Sequence, residues 1–169
     1  MKAIKYLNDT NPIVEMDVKH LGTITVELFP KVAPKTVENF LKLVEEDFYS
    51  NIIFHRVIEG FMIQGGDPTG TGCGGSKDHI PGEFNQNGHK NCLEHTKGVI
   101  SMARTMDPNS ASSQFFIMHE DASHLDGAYA AFGYVTNGIE IVDDIASVAT
   151  DYEDRPLEDV VILKMRRVR

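Results

Sequence analysis

Seven histidines and two cysteines are the side chains of this sequence most able to hold a metal or attack a substrate. His79, His89 and His95 share one region with Cys73 and Cys92, but none of their spacings forms a standard ligand frame. They read as polar surface histidines. His55, between Phe54 and Arg56, reads as a core or half-buried histidine bonded to backbone. The stretch from Gly70 to Gly75 matches G-x-G-x-x-G in letters only. Asp67-Pro68-Thr69 precedes it where a dinucleotide site needs a strand, and His79-Ile80-Pro81-Gly82 follows where it needs a helix. Gly75-Ser76-Lys77 has the wrong order for a P-loop, and no serine sits in a G-x-S-x-G elbow. A different constellation remains. Arg56, Phe61, Met62, Gln64, Gln114 and Phe116 all fall in or beside predicted strands. Arginine and glutamine among Phe, Ile and Met have two readings: a salt-bridged surface with solvated amides, or an apolar groove with a few fixed donors, the make-up of a peptide or small-molecule site. The residue types alone leave both open.

The elements that must position these residues follow from periodicity. Val14, Met16 and Val18 alternate with charged residues, and Ile24, Val26 and Leu28 do the same, so two half-buried strands meet through Leu21-Gly22. The period then changes. Val37, Phe40, Leu41 and Val44 lie on one helical face, and Pro34 suits the first turn, which predicts a helix from about Pro34 to about Glu46. Ile53 to Val57 and Phe61 to Gln64 read as strands around Glu59-Gly60. From Gly65 to Gly88 runs a glycine-rich loop, long enough to suggest a function. Val99–Met102, Gln114–Met118 and Tyr129–Val135 read as strands, Ile139–Ile145 as a short helix. The last strand, Leu157 to Val168, places Val161, Leu163 and Met165 on one face and is expected to pair near Ile4 and Tyr6. Many strands and two separated helices make a mainly β domain. Barrel and sandwich are equally compatible with the pattern, although closure would remove exposed edges.

The 169 residues, 41% hydrophobic, suffice for one domain with a substantial core, and no repeat or linker divides residues 1–169. A formal net charge of −9 argues against nucleic acid and anionic membrane as partners. No run reaches the length of a membrane span. Met1-Lys2-Ala3-Ile4-Lys5 carries no apolar signal region, and two cysteines are too few for a disulfide framework, so free thiols and a cytoplasmic address are expected.

Phe54-His55-Arg56-Val57 followed by Gly60-Phe61-Met62-Ile63-Gln64-Gly65-Gly66-Asp67 closely resembles the cyclophilins. So do Gly98-Val99-Ile100-Ser101-Met102-Ala103, Ser113-Gln114-Phe115-Phe116-Ile117, Leu125-Asp126-Gly127 and Phe132-Gly133. Several long motifs in order, from about Val14 to the C-terminus, are far more specific than a glycine pattern. The short form resembles single-domain bacterial cytoplasmic members. The resemblance implies a closed eight-stranded antiparallel barrel capped by two helices. It implies isomerisation of X-Pro bonds in peptides and in unfolded or partly folded proteins, by a monomer with no metal, cofactor or covalent intermediate. By motif, Arg56 and Gln64 carry catalysis. The groove is Phe61, Met62, Ala103, Gln114, Phe116, Leu125 and Tyr129, with His55 a wall residue. Two rim positions depart from the best-known eukaryotic pattern: His124 stands for a tryptophan and Tyr129 for a histidine. Since cyclosporin uses that tryptophan in sensitive members, only weak cyclosporin binding is implied.

Overall fold

The computed structural model describes residues 1–169. The alternation at the start of the chain becomes β1 (Ile13–Val18) and β2 (Gly22–Leu28), paired antiparallel with Met16 opposite Ile24. Val14, Met16, Val18, Ile24, Val26 and Leu28 are buried and Glu15, Asp17, Thr23 and Thr25 half-exposed; Glu27 is the polar exception, buried. Helix α1 (Pro34–Glu45) buries Val37, Phe40, Leu41 and Val44, as its period requires. Ala33 at its N-cap offers no side-chain acceptor. The carboxylate of Glu83 takes that role from far along the chain, accepting from the Thr36 N–H (2.6 Å), the Thr36 hydroxyl (2.7 Å) and the Lys35 N–H (3.2 Å).

The remaining strands are β3 (Ile52–Ile53), β4 (Arg56–Ile58), β5 (Met62–Gly65), β6 (Val99–Met102), β7 (Phe115–Met118), β8 (Ala131–Asn137) and β9 (Val161–Arg167), with α2 (Ile139–Ala146) before β9. All pair antiparallel in one sheet of order β3-β9-β1-β2-β8-β6-β7-β5-β4. The expected closed barrel of eight strands is therefore corrected to an open, curled sheet of nine. The reason is local. The two edge strands, β3 and β4, are consecutive in sequence but do not pair with each other. Phe54 and His55 leave the ladder between them, where the Phe54 N–H bonds Val160 O and the Val57 N–H bonds Asp154 O. One interrupted segment thus supplies both edges.

The N-terminus also differs from expectation. Ala3–Tyr6 forms a 3-10 turn, and β9 pairs with β1 and β3 instead. A register shift at Asp17/Val18 breaks the alternation of β9. Ile162 and Met165 are buried, whereas Leu163 is 44% exposed, contrary to the single apolar face read from the sequence.

Inside the curl, 44 buried apolar residues form one cluster. The Phe40 ring lies 5.2 Å from Tyr49, 5.2 Å from Phe132 and 5.9 Å from Phe115, joining α1 to the sheet. No helix is long and apolar enough to cross a membrane.

Gly66, just past β5, has φ +95°, and a Cβ there would run into the Ser113 carbonyl. Gly66→Ala should combine backbone strain with a clash against β7's approach. A loss of about 2 kcal/mol or more is expected, read as a thermal midpoint lowered by roughly 5 °C or more. An unchanged melt would mean the loop repositions freely.

Candidate active site

Register builds the site. In β4–β5 Arg56 lies opposite Gln64, in β5–β7 Gln64 lies opposite Phe116, and in β7–β6 Phe116 lies opposite Ser101. Direct cross-strand partners share a face, so these four residues cross the sheet in one row. Arg56 stands exposed at its outer end. Its Nη1 donates to Gln64 Oε1 at 3.4 Å, a long contact, and no carboxylate pairs with it. The salt-bridged alternative for Arg56 is thus absent. Gln64 Nε2 donates in turn to Gln114 Oε1 (2.9 Å), and Gln114 Nε2 donates to the carbonyls of Gly72 (2.9 Å) and Gly74 (2.8 Å). A chain of amides leads from the arginine to the glycine-rich loop.

That loop is itself tied down. The buried carboxylate of Asp67 accepts from the N–H groups of Thr69 (2.8 Å), Gly72 (2.7 Å) and Gly74 (3.0 Å) and from the Thr69 hydroxyl. Burial alone would raise its pKa; these donors outweigh burial and hold it down at about 2. The long loop of the sequence is therefore rigid where it meets Gln114.

A small apolar cavity of about 130 Å³ opens beside Arg56. Phe61, Met62, Phe116, Leu125 and Tyr129 line it, with Gln64 and Ala103 at its margin. Eight of the eleven residues named from the sequence meet here. The other three lie elsewhere. Gln114 faces a neighbouring polar cavity of about 700 Å³, bounded by the loops around Gly72–Ser76 and Ala103–Ser112. His124 sits exposed at the rim with its ring stacked on Phe61 at 5.8 Å. His55 is buried beneath the loop, its ring near Gly72, and lines neither cavity. Its Nδ1 is buried with no protein partner, which corrects the expected backbone bond.

Sequence reading passed over Arg104, which lines both cavities. The available signal was a second arginine directly after the Val99–Ala103 motif. It also misplaced His95. That ring is 1% exposed, not on the surface. Its Nδ1 lies 3.0 Å from Asp126 Oδ1 and its Nε2 2.9 Å from Ser101 Oγ. The arrangement has the connectivity of a Ser-His-Asp triad, but Ser101 is fully buried and no substrate carbonyl can reach it. What His95 does touch is Phe116, on which its ring stacks at 6.1 Å. The buried network backs the wall of the apolar cavity.

A model of the family "Cyclophilin type peptidyl-prolyl cis-trans isomerase/CLD" matches residues 13–167. The peptidyl-prolyl cis-trans isomerase-like 1 of Emericella nidulans is 46% identical, covering 88% of this chain and 90% of that protein. Arabidopsis thaliana peptidyl-prolyl cis-trans isomerase CYP18-2 is 42% identical over 86% of this chain and 88% of its own. Among solved structures, a Cryptosporidium parvum cyclophilin type peptidyl-prolyl cis-trans isomerase, crystallised in the presence of the dipeptide Ala-Pro, superposes with a TM-score of 0.85. It is 33% identical, over 93% of this chain and 99% of that one. These sequence relatives are fungal and plant, so the likeness to short bacterial members is not supported.

Two buried imidazoles make stability depend on pH. Desolvation lowers the pKa of His55, against a smaller upward pull from Asp67 and further lowering by Arg155 and Arg56. Desolvation also lowers that of His95 and prevails over the upward pull of Asp126. A histidine in the unfolded chain titrates near about 6.5. Between the folded and unfolded values the unfolded chain binds more protons, so stability rises with pH there. The contribution is complete above about pH 6.5 and declines as pH falls toward the folded values. Melts between pH 7.5 and 5 should therefore shift downward with acid, and His95→Gln should flatten the dependence. The Asp67 carboxylate, held at about 2, leaves this window undisturbed.

Proposed function

Because this chain belongs to the cyclophilin-type peptidyl-prolyl cis-trans isomerase family, we propose that Arg56 is the donor that stabilises the twisted X-Pro amide and that Gln64 orients it. The chain catalyses cis/trans isomerisation of proline peptide bonds and acts on proline-containing peptides and proteins. Rotation about such a bond breaks amide resonance, with a barrier of about 18–20 kcal/mol. No net proton transfer is required. The enzyme has only to bind the twisted amide better than either planar form. On twisting, the proline nitrogen becomes pyramidal and gains a lone pair. A guanidinium at the mouth of an apolar cavity can donate to that lone pair, and a peptide covering the cavity excludes water and strengthens the bond. The observation that carries this reading is an arginine free of any carboxylate, tethered to Gln64 and lining the small cavity.

Phe61, Met62, Phe116 and Leu125 hold the proline ring by apolar burial in this scheme. Ala103, Gln114 and Tyr129 flank the peptide, and His124 closes the rim. His55 supports the loop from beneath rather than touching peptide. Residues 1–169 act as one domain and as a monomer, in the cytoplasm, on clients that are unfolded or partly folded. The charge of −9 supports a reading without nucleic acid or membrane partners, and a reaction with no water to ionise asks for no metal.

Arg56→Ala should lower catalytic efficiency on the order of 10²-fold while peptide affinity falls much less. The fold should survive, since the side chain is exposed and makes one long hydrogen bond with no ion pair. Arg56→Lys should rescue only in part, an ammonium lacking the planar fork. Phe116→Leu should do the opposite, weakening affinity more than turnover. Exchange NMR on one proline peptide gives rate and affinity together; an Arg56→Ala protein at near wild-type rate would sink the mechanism.

His124 offers less apolar area than tryptophan and no indole N–H. His124→Trp should tighten cyclosporin inhibition severalfold and leave turnover of short peptides nearly unchanged. Equal inhibition constants for the two proteins would refute the rim argument.

A further inference from the structure

Arg104 joins the apolar cavity to the polar one, and its guanidinium is held in an unusual way. Its carbon lies 4.6 Å from the centre of the Tyr129 ring and 4.8 Å from that of Phe84. Nε and Nη2 both donate to Ala128 O, at 3.1 and 2.7 Å, and Nη1 donates to Thr105 O at 3.0 Å. A guanidinium has five N–H groups, so one on Nη1 and one on Nη2 remain without a protein acceptor. No carboxylate pairs with it, in a chain whose net charge is −9. The large cavity contributes one acid to its own wall, Asp107, whose Oδ1 already accepts the Asn109 N–H at 2.8 Å.

Packing explains why this cation stays in place. Two aromatic faces and three backbone bonds fix the guanidinium, so little side-chain freedom remains to be lost when a ligand binds. Tyr129 links it to the proline site directly, since its ring meets Phe116 edge-on at 5.8 Å. Gln64, Ala103 and Arg104 line both cavities. A peptide with its proline in the apolar cavity therefore runs past Arg104, each residue advancing it by about 3.3 Å when extended.

We propose that Arg104 is a specificity-determining residue that selects proline peptides bearing an oxyanion side chain, carboxylate or phosphate, within three residues of the proline. The inference rests on the isomerase reading of the apolar cavity. The planar fork suits either oxyanion, through charge-assisted bonds from its two free N–H groups. Selection then arises beside the reacting bond and not at it, so it acts on which peptides are turned over.

The test uses the whole chain and a set of proline peptides differing in one side chain. Glu is compared with Gln, and phosphoserine with Ser, at each of the three positions on either side of proline. Isomerisation is followed by exchange NMR. At one or more positions the anionic peptide should be preferred in kcat/KM by roughly fivefold to tenfold, mostly through KM. Arg104→Gln should abolish that ratio and Arg104→Lys should reduce it. The readout is a ratio within one protein, so any general loss of activity in the variant cancels. A Glu preference identifies carboxylate as the ligand, and a preference confined to phosphoserine identifies phosphate; either supports the proposal. Turnover of all peptides without charge discrimination, or a preference that persists in Arg104→Gln, overturns it. Failure to isomerise any peptide would instead overturn the isomerase reading beneath it.

Discussion

The antiparallel register of β4, β5, β7 and β6 is the constraint on which the site depends. It sets Arg56 against Gln64, Gln64 against Phe116 and Phe116 against Ser101. A slip of one residue between β5 and β7 would turn one member of each pair to the opposite face. If β7 turned, Phe116 would face away from Gln64 and leave the apolar cavity. What prevents a slip is the other face. Ile63 and Ile117 are also partners, both fully buried, and a slip that turned β5 over would set the polar Gln64 where Ile63 packs. The buried face thus holds the active row in register.

Each end of the row has its own support. At the inner end, the buried Ser101 and His95 and the half-buried Asp126 form a polar network behind Phe116. Polar groups in low dielectric are costly when unpaired and rigid when fully paired; His95 uses both ring nitrogens, so here they are rigid. At the outer end, Gln114 ties Gln64 to a loop whose shape Asp67 dictates. A reaction driven by preferential binding of a twisted amide needs walls that do not relax around the planar one. Both networks oppose that relaxation.

Legibility in the sequence followed the range of the interaction. β1, β2 and α1 were readable because period two and period 3.6 are local properties, each burying its stripe within a few residues. The motifs around Arg56, Gln64 and Phe116 were readable as words. Their convergence on one cavity depended on pairing between β4, β5 and β7, which the family resemblance supplied and composition did not. The misses are all long-range. The Glu83 cap on α1 bridges 47 residues of chain. His95 looked like a polar surface residue because Asp126, its partner, is 31 positions away. Leu163 reads as sharing one face with Val161 and Met165 because the irregularity that leaves it without a partner in β1 makes no mark on local periodicity. Closure of the barrel failed for a comparable reason: Phe54 and His55 read as strand, yet their surroundings draw the backbone off to Val160.

Two arginines border the cavities and differ in how they are held, which separates two tasks. Arg56 is exposed and has one long contact to Gln64. Its remaining donors are free to follow a nitrogen that changes geometry during rotation. Arg104 is fixed by two rings and three backbone bonds, leaving two donors aimed by the scaffold. A mobile donor suits a transition state whose charge distribution appears only on twisting; a fixed one suits a ground-state group that is the same in cis and trans. Binding energy gained equally in both isomers cannot lower the barrier, so the second arginine can discriminate among peptides without altering the chemistry of the bond. Arg56 lines the apolar cavity alone and Arg104 lines both, so selection can vary while the isomerising row stays unchanged.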